Sequence, residues 1–377
     1  MECIRCGNSD PNYFYKGHKG TYCRKCIGFS RVLLEEELYP YEYEISEGVD
    51  EYQFSYELTD KQNEASLKTA EIINRKDVLL HCVCGAGKTE ITVESIANAL
   101  KRGLKVAYAI ARKEVVIELE KRFKSIFTSA NVVGVYGGHH DTLHGDLIIC
   151  TCHQLFRYYK TFDLLILDEA DAFPLKGNDV LMQICLSSCK GHIIFSTATV
   201  NEQLMAVLRK RGYEKVMLNT RPSKRPLSIP DIYYLDRYSC LFMLNHLFRK
   251  IDGQIIVFVS RRKMARDLGK LFKRKYDSRF VYSDLENRKE VIESFRNKEF
   301  RILFSTTVLE RGVTIKGVSV ILLCFDRSFD EGNIIQMLGR VGRGIEDDKG
   351  RSIIIANHYE KMFSKIINYL KEANSYL

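Results

Sequence analysis

The segment His81 to Glu90, HCVCGAGKTE, constrains this fold more than any other stretch, because a glycine-rich loop of this kind works only between a buried strand and a helix N-terminus. Gly85, Ala86 and Gly87 let backbone N–H groups come close to a phosphate. Lys88 neutralises the β and γ phosphates, and the Thr89 hydroxyl suits magnesium. Val78-Leu79-Leu80 supplies the short apolar strand, and apolar residues at helical spacing from Ile91 to Leu100 supply the helix. Cys82 occupies the place of the first glycine of the pattern, a departure expected to weaken nucleotide binding.

A second motif completes the chemistry. In Leu164 to Asp171 an apolar strand runs into Asp168-Glu169, which puts two carboxylates at the C-terminal edge of a sheet, where α/β folds bind ligands. Asp168 is expected to hold Mg²⁺ through water. Glu169 is expected to orient and deprotonate the water that attacks the γ phosphate of ATP.

From Leu58 onward strands and helices alternate. Val106–Ile110, Leu147–Cys150, Leu164–Leu167 and His192–Phe195 read as strands spaced by helical patterns, which implies a parallel sheet covered on both faces. Residues 221–226, RPSKRP, interrupt the series with two prolines and three basic residues and read as a linker. A second α/β series follows, with strands expected at 255–259, 280–282, 301–304, 318–323 and 352–355. The organisation is therefore a segment at 1–30, an acidic connector at 31–57, one α/β domain at 58–220, the linker, and a second α/β domain at 227–377.

The first thirty residues hold Cys3-x2-Cys6 and Cys23-x2-Cys26, sixteen residues apart, a spacing that lets two tight turns present four thiolates to one zinc. Such a segment is too short to bury a core without metal, so Zn is expected to fold it. The connector carries Glu35-Glu36-Glu37 and four tyrosines but no Lys or Arg from Val32 to Glu51, and reads as a solvated link.

Charge is uneven. Residues 1–51 hold 6 Lys+Arg against 10 Asp+Glu, leaving 51 against 38 in the rest and a net charge of +9 overall. A basic body suits a polyanion such as nucleic acid, and with no Trp any base stacking must use Tyr, Phe, His or Arg. The N-terminus lacks the basic start and apolar run of a secretory signal, and no apolar stretch is long enough to cross a bilayer. Twelve cysteines then read as thiols and metal ligands in a reducing cytoplasm.

Taken in order, Gln62, GAGKTE at 85–90, TCHQL at 151–155, DEAD at 168–171, TAT at 197–199, the 306–312 segment and QMLGRVGR at 336–343 resemble superfamily 2 helicases across residues 58–377. The resemblance implies two tandem RecA-like domains behind the zinc module. It implies that Gln62 reads adenine, that Thr197 to Thr199 couple nucleotide state to strand binding, and that Arg311 and Gly312 line the cleft between the domains. Arg340 and Arg343 would be arginine fingers, which stabilise charge developing on the γ phosphate. Arg112, Thr151, Ser260, Arg261 and Thr306 each follow a strand and are expected to touch the phosphates of a single strand.

A narrower resemblance, carried by DEADAFP at 168–174, VCGAGKTE at 83–90, TVLERGVTI at 307–315 and the four leading cysteines, is to the ComFA family of competence DNA-uptake ATPases. It implies an ATP-driven single-stranded DNA translocase, cytoplasmic or peripheral at the inner face of the membrane. Implied partners are single-stranded DNA, a ComFC-like phosphoribosyltransferase, a membrane uptake channel and further copies of the chain. The alternatives are a replication-restart helicase resembling PriA or a general DNA or RNA helicase, and, in another class, a zinc-dependent nucleic-acid adaptor whose ATPase has degenerated. His140 and His144 read as loop histidines, and Cys150, Cys152, Cys185 and Cys189 as core thiols.

Overall fold

In the computed structural model the described residues are 1–46, 51–223, 225–309, 315, 317–326, 328–342 and 350–375. They form two compact units, Met1–Cys82 with Gly87–Leu218, and Val83–Ala86 with Asn219–Leu377.

The apolar runs of unit 1 become seven parallel strands: β3 (Asp77–Cys82), β4 (Val106–Ile110), β5 (Val132–Val135), β6 (Leu147–Thr151), β7 (Phe162–Asp168), β8 (Cys189–Thr197) and β9 (Tyr213–Leu218), in the order β5-β6-β4-β7-β8-β3-β9. Central strands such as β4 and β6 are buried at every residue, as expected when helices cover both faces. The helices are α1 (Asp60–Ile72), α2 (Lys88–Lys101), α3 (Lys113–Ile126), α4 (Asp179–Ser188) and α5 (Glu202–Arg211). A capping box starts α1, with Thr59 accepting from the Gln62 backbone and the Gln62 side chain answering.

Ahead of this sheet lies an antiparallel hairpin of β1 (Phe14–Gly17) and β2 (Gly20–Cys23). The described part of the connector is laid along unit 1 rather than left in solvent. Tyr41 N–H donates to Thr161 Oγ1 at 2.9 Å, Gln53 N–H to the Ile126 carbonyl at 3.0 Å, and the Tyr52 hydroxyl to Glu94 at 2.5 Å. Main-chain amides and tyrosine side chains together fix it.

Unit 2 has six parallel strands, β10 (Asp231–Tyr234), β11 (Gln254–Val259), β12 (Ser278–Val281), β13 (Ile302–Ser305), β14 (Val318–Cys324) and β15 (Ser352–Ala356), ordered β10-β15-β14-β11-β13-β12. Its helices are α6 (Arg237–Lys250), α7 (Arg262–Tyr276), α8 (Arg288–Arg296), α9 (Glu331–Leu338) and α10 (Lys361–Asn374). The fold class expected from the sequence is thus present: two parallel-sheet α/β domains, with four N-terminal cysteines gathered in front.

The three strands of these sheets that the apolar pattern does not mark, β5, β9 and β10, all lie at sheet edges. An edge strand has one neighbour and often one wet face, so its side chains need not be continuously apolar; β9 alternates intermediate, exposed and buried residues.

Candidate nucleotide and nucleic-acid site

Register fixes what meets at the C-terminal edge of the first sheet. His81 of β3 pairs with Thr197 of β8, and Asp168 of β7 with Ser196 of β8, so the phosphate loop, the acidic motif and the TAT motif leave adjacent strands together. Gly85 and Gly87 take φ of +82° and +87°, in the left-handed region. The φ of Gly87 favours glycine, and a Cβ there would also displace the Gln62 side-chain amide. Gln62 is buried, with its side-chain amide close to Gly87, the residue that caps the start of α2.

Asp168 is buried, and burial raises its pKa, opposed by the positive charge of Lys88 and pushed further by Glu169. The Tyr108 hydroxyl donates to Asp168 Oδ2 at 3.0 Å. That phenol also hydrogen-bonds with Thr89, so it lies between the two side chains expected at magnesium. Glu169 has φ of 56°, an uncommon conformation for a residue with a side chain, directly after the strand ends. Asp171, the last residue of the acidic motif, accepts hydrogen bonds from the hydroxyls of Thr197 and Thr199 through its two oxygens.

Cys82 is the last residue of β3, paired with Leu218 of β9 and buried, and burial pushes its thiol up to about 12. Within unit 2, Arg221 is buried and its guanidinium donates to the carbonyls of Cys84 (2.8 Å), Val341 (2.8 Å) and Gly339 (3.2 Å). Arg340, following α9, is 1% exposed. Arg311, Gly312 and Arg343 lie outside the described residues.

The residues read as strand contacts fall at C-terminal strand ends in each unit. In unit 1, Arg112 starts α3 just after β4 and Thr151 ends β6, and these strands pair with Ile110 opposite Thr151. In unit 2, Ser260 and Arg261 follow β11 and Thr306 follows its neighbour β13. Asp326, just past β14, accepts from the Ser260 hydroxyl at 2.8 Å and pairs with Arg261 at 3.3 Å.

The four leading cysteines are buried, with all four Sγ atoms within 4.8 Å of one another. Cys3 and Cys26 are 3.8 Å apart and Cys6 and Cys23 3.7 Å. A tetrahedral ion with Zn–S bonds of about 2.3 Å needs S···S separations of about 3.8 Å, so the donor set fits zinc. His140 and His144 lie outside helices, and Cys150, Cys152, Cys185 and Cys189 are buried in the first core.

Residues 60–207 match the DEAD/DEAH box helicase family and residues 238–344 the helicase conserved C-terminal domain. Over 99% of its length the chain is 31% identical to competence protein ComFA of Streptococcus pneumoniae, covering 90% of that protein. The chain belongs to the ComFA family. Competence protein ComFA of Bacillus subtilis is 30% identical over 99% of this chain and 85% of its own. The structure of S. cerevisiae Dbp5 bound to RNA and ADP BeF3 shares the fold with a TM-score of 0.63 at 18% identity, over 85% of this chain and 88% of that one. As a ComFA-family member with both helicase domains, the chain is a competence-related superfamily 2 ATPase.

Three residues of this ComFA-family chain escape a motif-based reading. Tyr108 hides in a plain apolar strand, Arg221 in a proline-flanked segment, and Asp326 after a strand with no motif of its own. Only the β4–β7 pairing, which sets Tyr108 opposite Ile166 two residues before Asp168, brings the first of them to the site.

Proposed function

We propose that this protein is an ATP-dependent single-stranded DNA translocase that drives DNA uptake in competence. The observation carrying the reading is family membership across 99% of the chain together with Lys88, Asp168 and Glu169 on adjoining elements of one sheet edge. Lys88 and the loop amides hold the β and γ phosphates. Thr89 and Asp168 would hold magnesium, which supplies charge neutralisation at the phosphates when bound. Glu169 accepts the proton of the attacking water, and Arg340 and Arg343 serve as arginine fingers. Gln62 recognises adenine. Arg112, Thr151, Ser260, Arg261 and Thr306 hold strand phosphates without reading sequence. The four-cysteine cluster binds structural zinc. A ComFC-like phosphoribosyltransferase and a membrane uptake channel are partners consistent with that role; among the described residues no helix is long and apolar enough to cross a membrane.

The test is ATP turnover with and without single-stranded DNA, RNA or duplex, alongside strand displacement. Stimulation by single-stranded DNA, abolished by Lys88→Ala, is expected. A rate indifferent to both DNA and Lys88→Ala overturns the reading, and efficient unwinding with equal stimulation by RNA favours a general helicase.

A further inference from the structure

The zinc module presents a second face that the nucleotide site does not use. Residues 11–31 contain five Lys+Arg and no Asp or Glu, although the first 51 residues as a whole are acidic. In the β1–β2 hairpin, Phe14 and Cys23 pair and Phe14 packs on the cysteine cluster. Strand alternation therefore turns the next pair, Tyr15 and Tyr22, to the opposite face. There the two rings sit 5.5 Å apart and the Arg31 guanidinium lies over Tyr22 at 4.6 Å. Tyr15 is 52% exposed. Tyr22 is half-buried beneath the Arg31 guanidinium, so the exposed Tyr15 ring and the exposed Arg31 side chain present a flat, cationic, aromatic surface, with Lys19 in the adjoining turn.

The module is anchored on unit 1 close to a candidate strand contact. Phe29 stacks on His153 at 6.0 Å and 18°, Arg5 reaches the Phe156 ring at 6.0 Å, and the Ser187 hydroxyl donates to the Arg5 carbonyl at 3.5 Å. His153 is two residues beyond Thr151, one of the residues at the C-terminal edge of the first sheet. The module, through Phe29 and Arg5, thus packs on the turn that follows a candidate strand contact. Glu35, the acid bonded to the hairpin, is occupied by the Thr21 N–H at 2.9 Å.

We propose that the Tyr15–Tyr22–Arg31 face, with Lys19 in the turn beside it, is an additional binding surface for single-stranded DNA on the module that packs next to the Thr151 turn of unit 1. Bases stack on the tyrosines and on the guanidinium, and Lys19 attracts phosphate, so binding is independent of sequence. This rests on the reading of single-stranded DNA as the substrate, and the two are separable by experiment.

The full-length, zinc-loaded protein is titrated into fluorescently labelled oligo(dT) of about 30 and about 8 nucleotides, lengths chosen from ordinary single-strand site sizes. Tyr15→Ala combined with Arg31→Ala is expected to bind the long oligonucleotide about ten-fold more weakly, with the short one changed less than two-fold. Tyr15→Phe, which keeps the ring, restores wild-type affinity. Lys19→Gln lowers the salt dependence of binding by roughly 0.7 of a unit of log–log slope. Bound zinc is measured in each variant. Photo-crosslinking of the wild type to 5-iododeoxyuridine oligonucleotides gives an answer that needs no variant: adducts at Tyr15 or Tyr22 support the proposal. If the wild type binds DNA while the double variant with intact zinc binds equally well and adducts form only elsewhere, the proposal is wrong and the translocase reading stands. If the wild type neither binds single-stranded DNA nor is stimulated by it, both are wrong.

Discussion

The Tyr108 hydroxyl donates to Asp168 Oδ2 at 3.0 Å from a side chain that is 0% exposed, and shares a further hydrogen bond with Thr89. A phenol with no access to water thus orients the carboxylate expected to hold magnesium. Its own pKa is raised well above the ordinary value by burial and by the nearby Asp168 charge, so it stays a donor at any working pH.

Tyr108→Phe should therefore keep the fold and lose the positioning. A hydrogen bond to a charged group is worth about 1.5–3 kcal/mol, so the magnesium concentration for half-maximal ATPase should rise by about ten-fold or more. The sign with pH is also determined. Burial raises the Asp168 pKa, while Lys88 and the Tyr108 bond lower it. Removing Tyr108 raises it again, and the acid limb of the pH–rate profile moves to higher pH. An unchanged magnesium titration and an unchanged acid limb would show that Tyr108 merely packs.

Glu169→Gln separates binding from chemistry. The amide keeps the size and the φ of 56° but cannot accept a proton. Turnover should fall by about 100-fold or more with ATP affinity changed less than three-fold, as measured by steady-state kinetics beside equilibrium binding of a fluorescent ATP analogue. A parallel loss of binding would assign Glu169 to the ground state instead.

Asp171 accepts from Thr197 and Thr199 at once, which joins the end of the acidic motif to the TAT motif through one carboxylate. Thr197→Val with Thr199→Val removes both donors and leaves the loop and Glu169 untouched. Basal ATPase should persist within about three-fold while stimulation by single-stranded DNA largely disappears, because the coupling element and not the hydrolytic groups has been cut. Equal loss of both rates would mean that the pair supports the fold of the site rather than coupling.

The parts of this chain legible in advance were those whose chemistry is local in sequence. Gly85 to Thr89 and Asp168-Glu169 reveal themselves because backbone approach and paired carboxylates demand fixed spacings, and Cys3, Cys6, Cys23 and Cys26 because a tetrahedral ion does. Tyr108 is 60 residues from Asp168 and Asp326 is 66 from Ser260; only strand order joins them. The edge strands β5, β9 and β10 were hidden for the complementary reason, since a strand with one neighbour does not need a continuous apolar run. The connector misled through its charge: its glutamates suggest a solvated link, while Tyr41, Tyr43 and Tyr52 hold it to unit 1.

Protein purified without chelators should carry one zinc per chain, released by a thiol-modifying reagent and measured with a metallochromic dye. Cys3→Ser with Cys26→Ser should lose it. Removing two thiolates from a segment with so little core should unfold the module, because structural zinc contributes on the order of 10 kcal/mol to such domains. The Phe29–His153 contact would go with it, so protease sensitivity should appear within residues 1–30 while the helicase domains stay resistant. Zinc retained by the double variant would place the metal elsewhere.

Cys82 gives the last prediction. As the glycine position of a phosphate loop it should impair nucleotide binding, yet it is the final residue of β3, in register with Leu218, and its side chain is buried rather than turned toward a loop. A strand residue needs no special φ, and with the thiol pushed up to about 12 by burial no thiolate confronts the phosphates. Cys82→Ala should then leave ATP affinity within about two-fold and cost roughly 1 kcal/mol of stability for the lost packing. Cys82→Gly should be less stable still, by about 0.5–1 kcal/mol, because glycine weakens a strand. Isothermal titration with a non-hydrolysable ATP analogue and thermal melts of the three proteins settle the point; a glycine variant that binds ATP ten-fold tighter would show that the thiol does obstruct the loop.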